Sequence, residues 1–194
     1  MIALSETTEA LFEDLGMSPE EASLPLQMLE EGESRYIKDG RMNLKNVLSS
    51  DHLNDKEIAL LGIAIAVNQN NDKLIRFFTQ KAEAAEATKA EIGEAVACTS
   101  LLASNNVFYR FRHFVGKPKY EEIPARIRMN IMMKPVTGKA FFELMSLAVS
   151  AVNGCEMCVK SHEQSVLNLG DSEERVFDAI RLASIVVSID KFVR

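Results

Sequence analysis

The chain has 194 residues, 47% apolar and 26% charged, which excludes a disordered or collagen-like polypeptide and is long enough for one domain with a sizeable core. Its 22 basic and 28 acidic residues leave a net charge of −6, which does not suggest a nucleic-acid partner. No stretch approaches the ~20 consecutive apolar residues of a membrane span. The opening Met1-Ile2-Ala3-Leu4-Ser5-Glu6 lacks the basic region of a secretory signal, so the expected location is the cytoplasm, with no membrane partner. Residues 1–34 carry nine acids and no Lys or Arg. They read as an acidic arm that either folds back on a basic face or presents a solvated helical face.

Helix signals follow one another along the chain, and strand signals are nearly absent. Ser18-Pro19-Glu20-Glu21 has the order of an N-cap, a first-position proline and a capping-box acid, and Pro25 limits how far that turn runs as regular helix. Asn54-Asp55-Lys56-Glu57 opens an apolar run to Val67, and Thr88-Lys89-Ala90-Glu91 opens another through Leu102. Residues 110–139 hold eight Lys or Arg, two acids and three prolines, and read as a basic connector with one short helix around Ile123–Met129. A helix through FFELMSLAVSAV ends at Asn153-Gly154, where the next begins. Gly170 suits a left-handed cap, and Asp171-Ser172-Glu173-Glu174 opens the last helix. The predicted class is all-α.

The chain also resembles itself. Glu57–Asn68 reads EIALLGIAIAVN and Glu143–Asn153 reads ELMSLAVSAVN; about 84 residues separate Thr88 from Ser172 and Glu94-Ala95 from Asp178-Ala179. Matching all of these requires an indel of one or two residues. The reading is a single domain with an N-terminal helical arm (1–50), a first, non-catalytic repeat (51–115), a connector (116–137) and a second, catalytic repeat (138–194).

The chemistry falls in the second repeat. Cys155-Glu156-Met157-Cys158 is a C-x-x-C at a helix start, where the helix dipole favours thiolate. Cys155 and Cys158 share a face and have the spacing for a disulfide; His162, one turn after Cys158, is within reach of its sulfur as a base. Glu143 is a lone acid on the apolar helix before the break. A hairpin carries it into an apolar interface, where His162 is the natural partner. Zinc would need a second ligand pair, and Cys98, His52 and His113 are scattered, so no metal is expected. A thioredoxin-type site would need a preceding strand. Cys98 and most of the nine methionines read as core.

These residues resemble a known family. Ile123–Leu167, with Ser34–Asp39, Met42–Leu44 and Asn105–Val115 upstream, is similar to the alkyl hydroperoxide reductase D (AhpD-like) type of the alkylhydroperoxidase/carboxymuconolactone decarboxylase superfamily. The resemblance implies an all-α, internally duplicated subunit assembled as a homotrimer or a multiple of one. It implies a thiol peroxidase acting on organic hydroperoxides, hydrogen peroxide and peroxynitrite, with no bound cofactor. Dihydrolipoamide is the implied reducing co-substrate, delivered by a dihydrolipoyl acyltransferase and dihydrolipoamide dehydrogenase, and a peroxiredoxin is a further implied partner. The catalytic pair maps onto Cys155 and Cys158, and the relay onto Glu143 and His162. One departure stands out: the best-known form has a histidine immediately before the second cysteine, where this chain has Met157. In the expected mechanism Cys158 attacks and Cys155 resolves. The order stays open, because Cys155 gains more from the dipole and Cys158 more from the histidine. A non-catalytic redox sensor or interaction subunit would keep the disulfide without turnover. A carboxymuconolactone decarboxylase-like enzyme would work without the pair.

Overall fold

The computed structural model describes residues 4–194. Its elements are α1 (Glu6–Leu15), a 3-10 turn (Pro19–Glu21), α2 (Leu24–Glu31), α3 (Tyr36–Val47), α4 (Asp55–Asn68), α5 (Asp72–Ala84) and α6 (Lys89–Val115). They continue with α7 (Pro118–Glu122), a second 3-10 turn (Asn130–Met133), α8 (Lys139–Val152), α9 (Glu156–Asn168) and α10 (Glu173–Asp190). The described residues contain no strand, so the all-α class holds.

Local chemistry sets the helix starts. Asn54 and Thr88 accept the backbone N–H of Glu57 and Glu91, and each glutamate returns a bond to its cap residue's N–H. Ser172 accepts from the Arg175 N–H. Ser18-Pro19-Glu20-Glu21 makes only a 3-10 turn, and Pro25 stands in the first turn of α2. The connector differs from expectation. Ile123–Met129 is not helical; the short helix lies earlier, at Pro118–Glu122, because Pro118 fits a first turn while Pro124 removes a donor from the next segment.

Packing follows from which helices are apolar all round. Every residue from Ile58 to Ala66 in α4 and from Phe141 to Ser150 in α8 is buried, so these two helices form the centre. They touch each other, and α6 and α10 each pack on both. Helix α5 lies on α4, α9 on α8, and α3 on α10. Each fully buried Leu, Ile or Phe contributes roughly 1.5–3 kcal/mol. The acidic arm folds back in part: Asp14 pairs with Arg41 and Lys45, and Glu21 with Arg76.

The two halves keep one register. Asp55 and Lys139, Asp72 and Glu156, and Lys89 and Glu173 open corresponding helices 84 residues apart, with no indel. This corrects the pairing of Glu57 with Glu143, for Glu143 corresponds to Ala59. The register also pairs Glu94 with Asp178. Glu94 of α6 accepts the Val136 and Thr137 backbone N–H groups ahead of α8. Asp178 of α10 bonds Ser50 and His52 ahead of α4.

Candidate functional site

The turn between α8 and α9 is fixed from both sides. Gly154 has φ +68°, the left-handed conformation that favours glycine, and the Cys155 N–H reaches back to the Ser150 carbonyl at 3.1 Å. A ladder of amides braces the turn: Asn68 donates to Asn153 at 3.0 Å, Asn153 to Asn106 at 2.9 Å, and Asn106 to Ser150 at 2.9 Å. The Arg110 guanidinium adds a bond to the Asn153 carbonyl. Sequence reasoning treated Asn153 only as a break and missed this ladder. The available signal was the polar run Ser104-Asn105-Asn106 within an apolar helix, where a buried amide needs a partner.

Cys155 is the N-cap residue of α9, and Cys158 lies in its first turn. Their Cα atoms are 5.3 Å apart and the sulfurs are joined as a disulfide. Cys155 is fully buried, whereas Cys158 is 7% exposed and lines a cavity of about 370 Å³. Leu102, Met129, Met132 and Met157 supply apolar wall, and Asn105, Tyr109, Glu121, Ser161 and His162 supply its polar groups. A larger groove of about 730 Å³, lined from Ser5 to Asp39, holds neither cysteine nor histidine.

Glu143 reaches the interface that its sequence context predicts. It is 5% exposed; one carboxylate oxygen meets His162 Nδ1 at 2.7 Å and the other meets Lys139 Nζ at 3.0 Å. Burial pushes its pKa up, but the bonds from His162 and Lys139 outweigh this and hold the carboxyl below the usual range. With Nδ1–H donated to Glu143, Nε2 is the basic nitrogen of the neutral ring. His162 and Cys158 share the cavity wall, and among the described residues no hydrogen bond joins the ring to either sulfur. Lys139 was missed by sequence reasoning, although it stands one turn before the acid. Lys139 also donates to the Met132 carbonyl at 2.7 Å, tying the acid to the cavity wall.

The corresponding positions of the first half hold no such chemistry. Ala59, Asn71, Leu74 and Phe78 stand where the second half has Glu143, Cys155, Cys158 and His162, and all four are buried. The remaining candidates lie elsewhere. Cys98 is a buried thiol 3.5 Å from Ser146, and burial pushes its pKa up to about 12. His52 sits by Asp178, and His113 by Glu156. No group of three or more His, Cys, Asp or Glu gathers to hold a metal among the described residues. The basic connector is smaller than its composition suggests: Arg110 is turned to the Asn153 carbonyl, and Arg112 is buried over the Phe108 ring. No described helix is long and apolar enough to cross a membrane.

Residues 118–194 match the carboxymuconolactone decarboxylase family. An alkyl hydroperoxide reductase AhpD of Anaeromyxobacter dehalogenans strain 2CP-C is 44% identical over 161 residues, covering 83% of this chain and 86% of the relative. One from Rhodopseudomonas palustris strain BisA53 is 37% identical over 166 residues, covering 86% and 91%. One from Coxiella burnetii strain Dugway 5J108-111 is 39% identical over 154 residues, covering 78% and 86%. The solved structure of a protein assigned as a gamma-carboxymuconolactone decarboxylase subunit, from Burkholderia xenovorans LB400, superposes with a TM-score of 0.66. It is 16% identical and the match covers 96% of this chain and 93% of that one, a likeness of fold. Identity at this level over most of both chains makes this protein a member of the AhpD family, within the carboxymuconolactone decarboxylase superfamily.

Proposed function

We propose that the protein is a cytoplasmic thiol peroxidase that reduces organic hydroperoxides, and also hydrogen peroxide and peroxynitrite, through Cys155 and Cys158 and is re-reduced by dihydrolipoamide. The observation that carries this reading is the position of Cys158. It lines the cavity beside His162, whose ring is bonded to buried Glu143, while Cys155 lies behind it, fully buried. That asymmetry favours Cys158 as the attacking sulfur.

In the reduced protein, His162 Nε2 takes the Cys158 proton, directly or through one water, and Glu143 stabilises the imidazolium. The thiolate attacks the distal peroxide oxygen. An S–O bond forms, the O–O bond breaks, sulfur is oxidised by two electrons, and the leaving alkoxide takes the proton from His162. Cys155 then attacks the Cys158 sulfenic sulfur, forming the disulfide and releasing water. A dihydrolipoamide thiolate attacks Cys158, the sulfur that faces the cavity, and Cys155 leaves as thiolate at the helix start. The second lipoyl thiol displaces Cys158, giving lipoamide and the dithiol enzyme.

The wider setting is part of the same reading. A dihydrolipoyl acyltransferase and dihydrolipoamide dehydrogenase supply reductant, and a peroxiredoxin is a further partner. The exposed Val107, Phe111 and Phe114 of α6 support assembly of copies, taken as a homotrimer or a multiple of one. The constant 84-residue register supports two repeats, 51–115 and 138–194, from one duplicated unit.

The test is turnover of tert-butyl hydroperoxide with dihydrolipoamide as the only reductant. Sustained turnover that Cys158→Ser abolishes is expected. Consumption of one peroxide per protein followed by arrest overturns the enzyme reading.

A further inference from the structure

Among the groups lining the Cys158 cavity, Asn105 combines burial with an unmet bond. Its side chain is 5% exposed, and its Oδ1 is buried without a hydrogen-bond partner. The amide orientation is fixed chemically. Nδ2 donates to the Met129 thioether sulfur at 3.1 Å, and the reverse orientation would set a carbonyl oxygen against a second acceptor. The free atom is therefore an acceptor, carried by a residue that lines the cavity together with Cys158 and His162. A buried acceptor left unpaired is costly, and a site built around one selects a ligand that brings the donor.

Met129, Met132, Met157 and Leu102 around it suit an apolar body, so the donor belongs to a small polar group at the head of that ligand. An alkyl hydroperoxide has one donor, the O–H on its distal oxygen, which is also the atom the thiolate attacks.

We propose that Asn105 is a substrate-binding residue whose Oδ1 accepts the O–H of the hydroperoxide and so turns the distal oxygen toward Cys158. This rests on the peroxidase reading and adds the group that orients the peroxide. Asn105 exchanges no electron or proton in the step. The S–O bond forms and the O–O bond breaks as above, and the proton reaches the leaving alkoxide from His162.

The test compares two reactions of one thiol in a full-length Cys155→Ser background. Reduced Cys158 is treated with tert-butyl hydroperoxide or with N-ethylmaleimide, which carries no hydrogen-bond donor, and the second-order rates are taken as a ratio. The thiolate fraction, common to both reactions, cancels in the ratio. Asn105→Leu should lower it about tenfold. Asn105→Asp, which keeps an acceptor there, should hold it within about threefold. A wild-type ratio in Asn105→Leu, with or without slower alkylation, overturns the assignment while leaving the peroxidase reading standing. A parent protein that alkylates but ignores the hydroperoxide overturns both. Should Asn105→Leu not fold, a tenfold lower ratio in Asn105→Asp overturns the acceptor role.

Discussion

Glu143 draws its partners from two directions: Lys139 one turn earlier on its own helix and His162 from α9. The first half of the chain puts Ala59 where Glu143 stands and Phe78 where His162 stands, so the acid and the imidazole mark a polar site set into otherwise apolar packing. A buried carboxylate is stable only while its partners remain. Glu143→Gln keeps the shape but removes the charge that, in the proposed mechanism, stabilises the imidazolium, so peroxide turnover should fall roughly 10- to 10⁴-fold. His162→Ala should cost a similar amount, and the double variant little more than either single one, because the two groups act as a unit. Steady-state rates for the three variants check this. Fully additive losses would mean that the acid and the histidine act separately.

At the scale of elements, α4 and α5 pack tightly where Gly62 meets Phe78. A Cβ built on Gly62 would stand 2.2 Å from the Phe78 ring, which is fully buried. Gly62→Ala should therefore lower stability by about 1–3 kcal/mol. Neither Gly62 nor Phe78 lines the Cys158 cavity, so the specific activity of folded protein should change little. Thermal melts with activity normalised to folded protein check both, and an unchanged melting temperature would mean that the two helices separate at no cost. The same scale shows what the sequence made legible. The caps at Asn54, Thr88 and Ser172 involve residues three apart, and the C-x-x-C, His162 and Glu143 pattern spans one hairpin. The Asn68–Asn153 and Asn106–Asn153 bonds join residues 85 and 47 apart, and no local pattern encodes them. The inward turn of Arg110 and Arg112 was hidden for the same reason: composition counts charges but not the direction in which a helix carries them. The connector helix was misplaced because a proline that opens one helix and one that ends it look alike in composition.

At the scale of the whole molecule, a second buried acid ties the end of the chain to its first half. Asp190 at the end of α10 is fully buried, and it accepts from Asn71 at 3.0 Å, Lys191 at 2.9 Å and Arg194 at 2.9 Å. Asn71 corresponds in register to Cys155, so the position that carries a disulfide sulfur in one half carries a structural amide in the other. Burial pushes the Asp190 pKa up, but the bonds from Arg194, Asn71 and Lys191 outweigh this and leave it below the usual carboxylate range. The unfolded chain therefore binds the proton more readily than the folded one. The resulting stabilisation is complete above the unfolded value, roughly 4, and is lost as the pH falls through the lower folded value. Glu143 and Asp178, also held below their usual values, act in the same direction. The melting temperature should thus be nearly level from pH 7 to pH 5 and drop below about pH 4. Asp190→Asn places a neutral amide among Arg194, Lys191 and the Asn71 amide. It should cost about 1–3 kcal/mol at pH 7 and progressively less as the wild-type carboxyl itself takes up a proton. Far-ultraviolet circular dichroism melts at pH 7, 5 and 3 measure that convergence. A constant gap between variant and wild type across the series would show that Asp190 binds its proton equally well in the folded and unfolded chains, and that its partners do not favour the charged form.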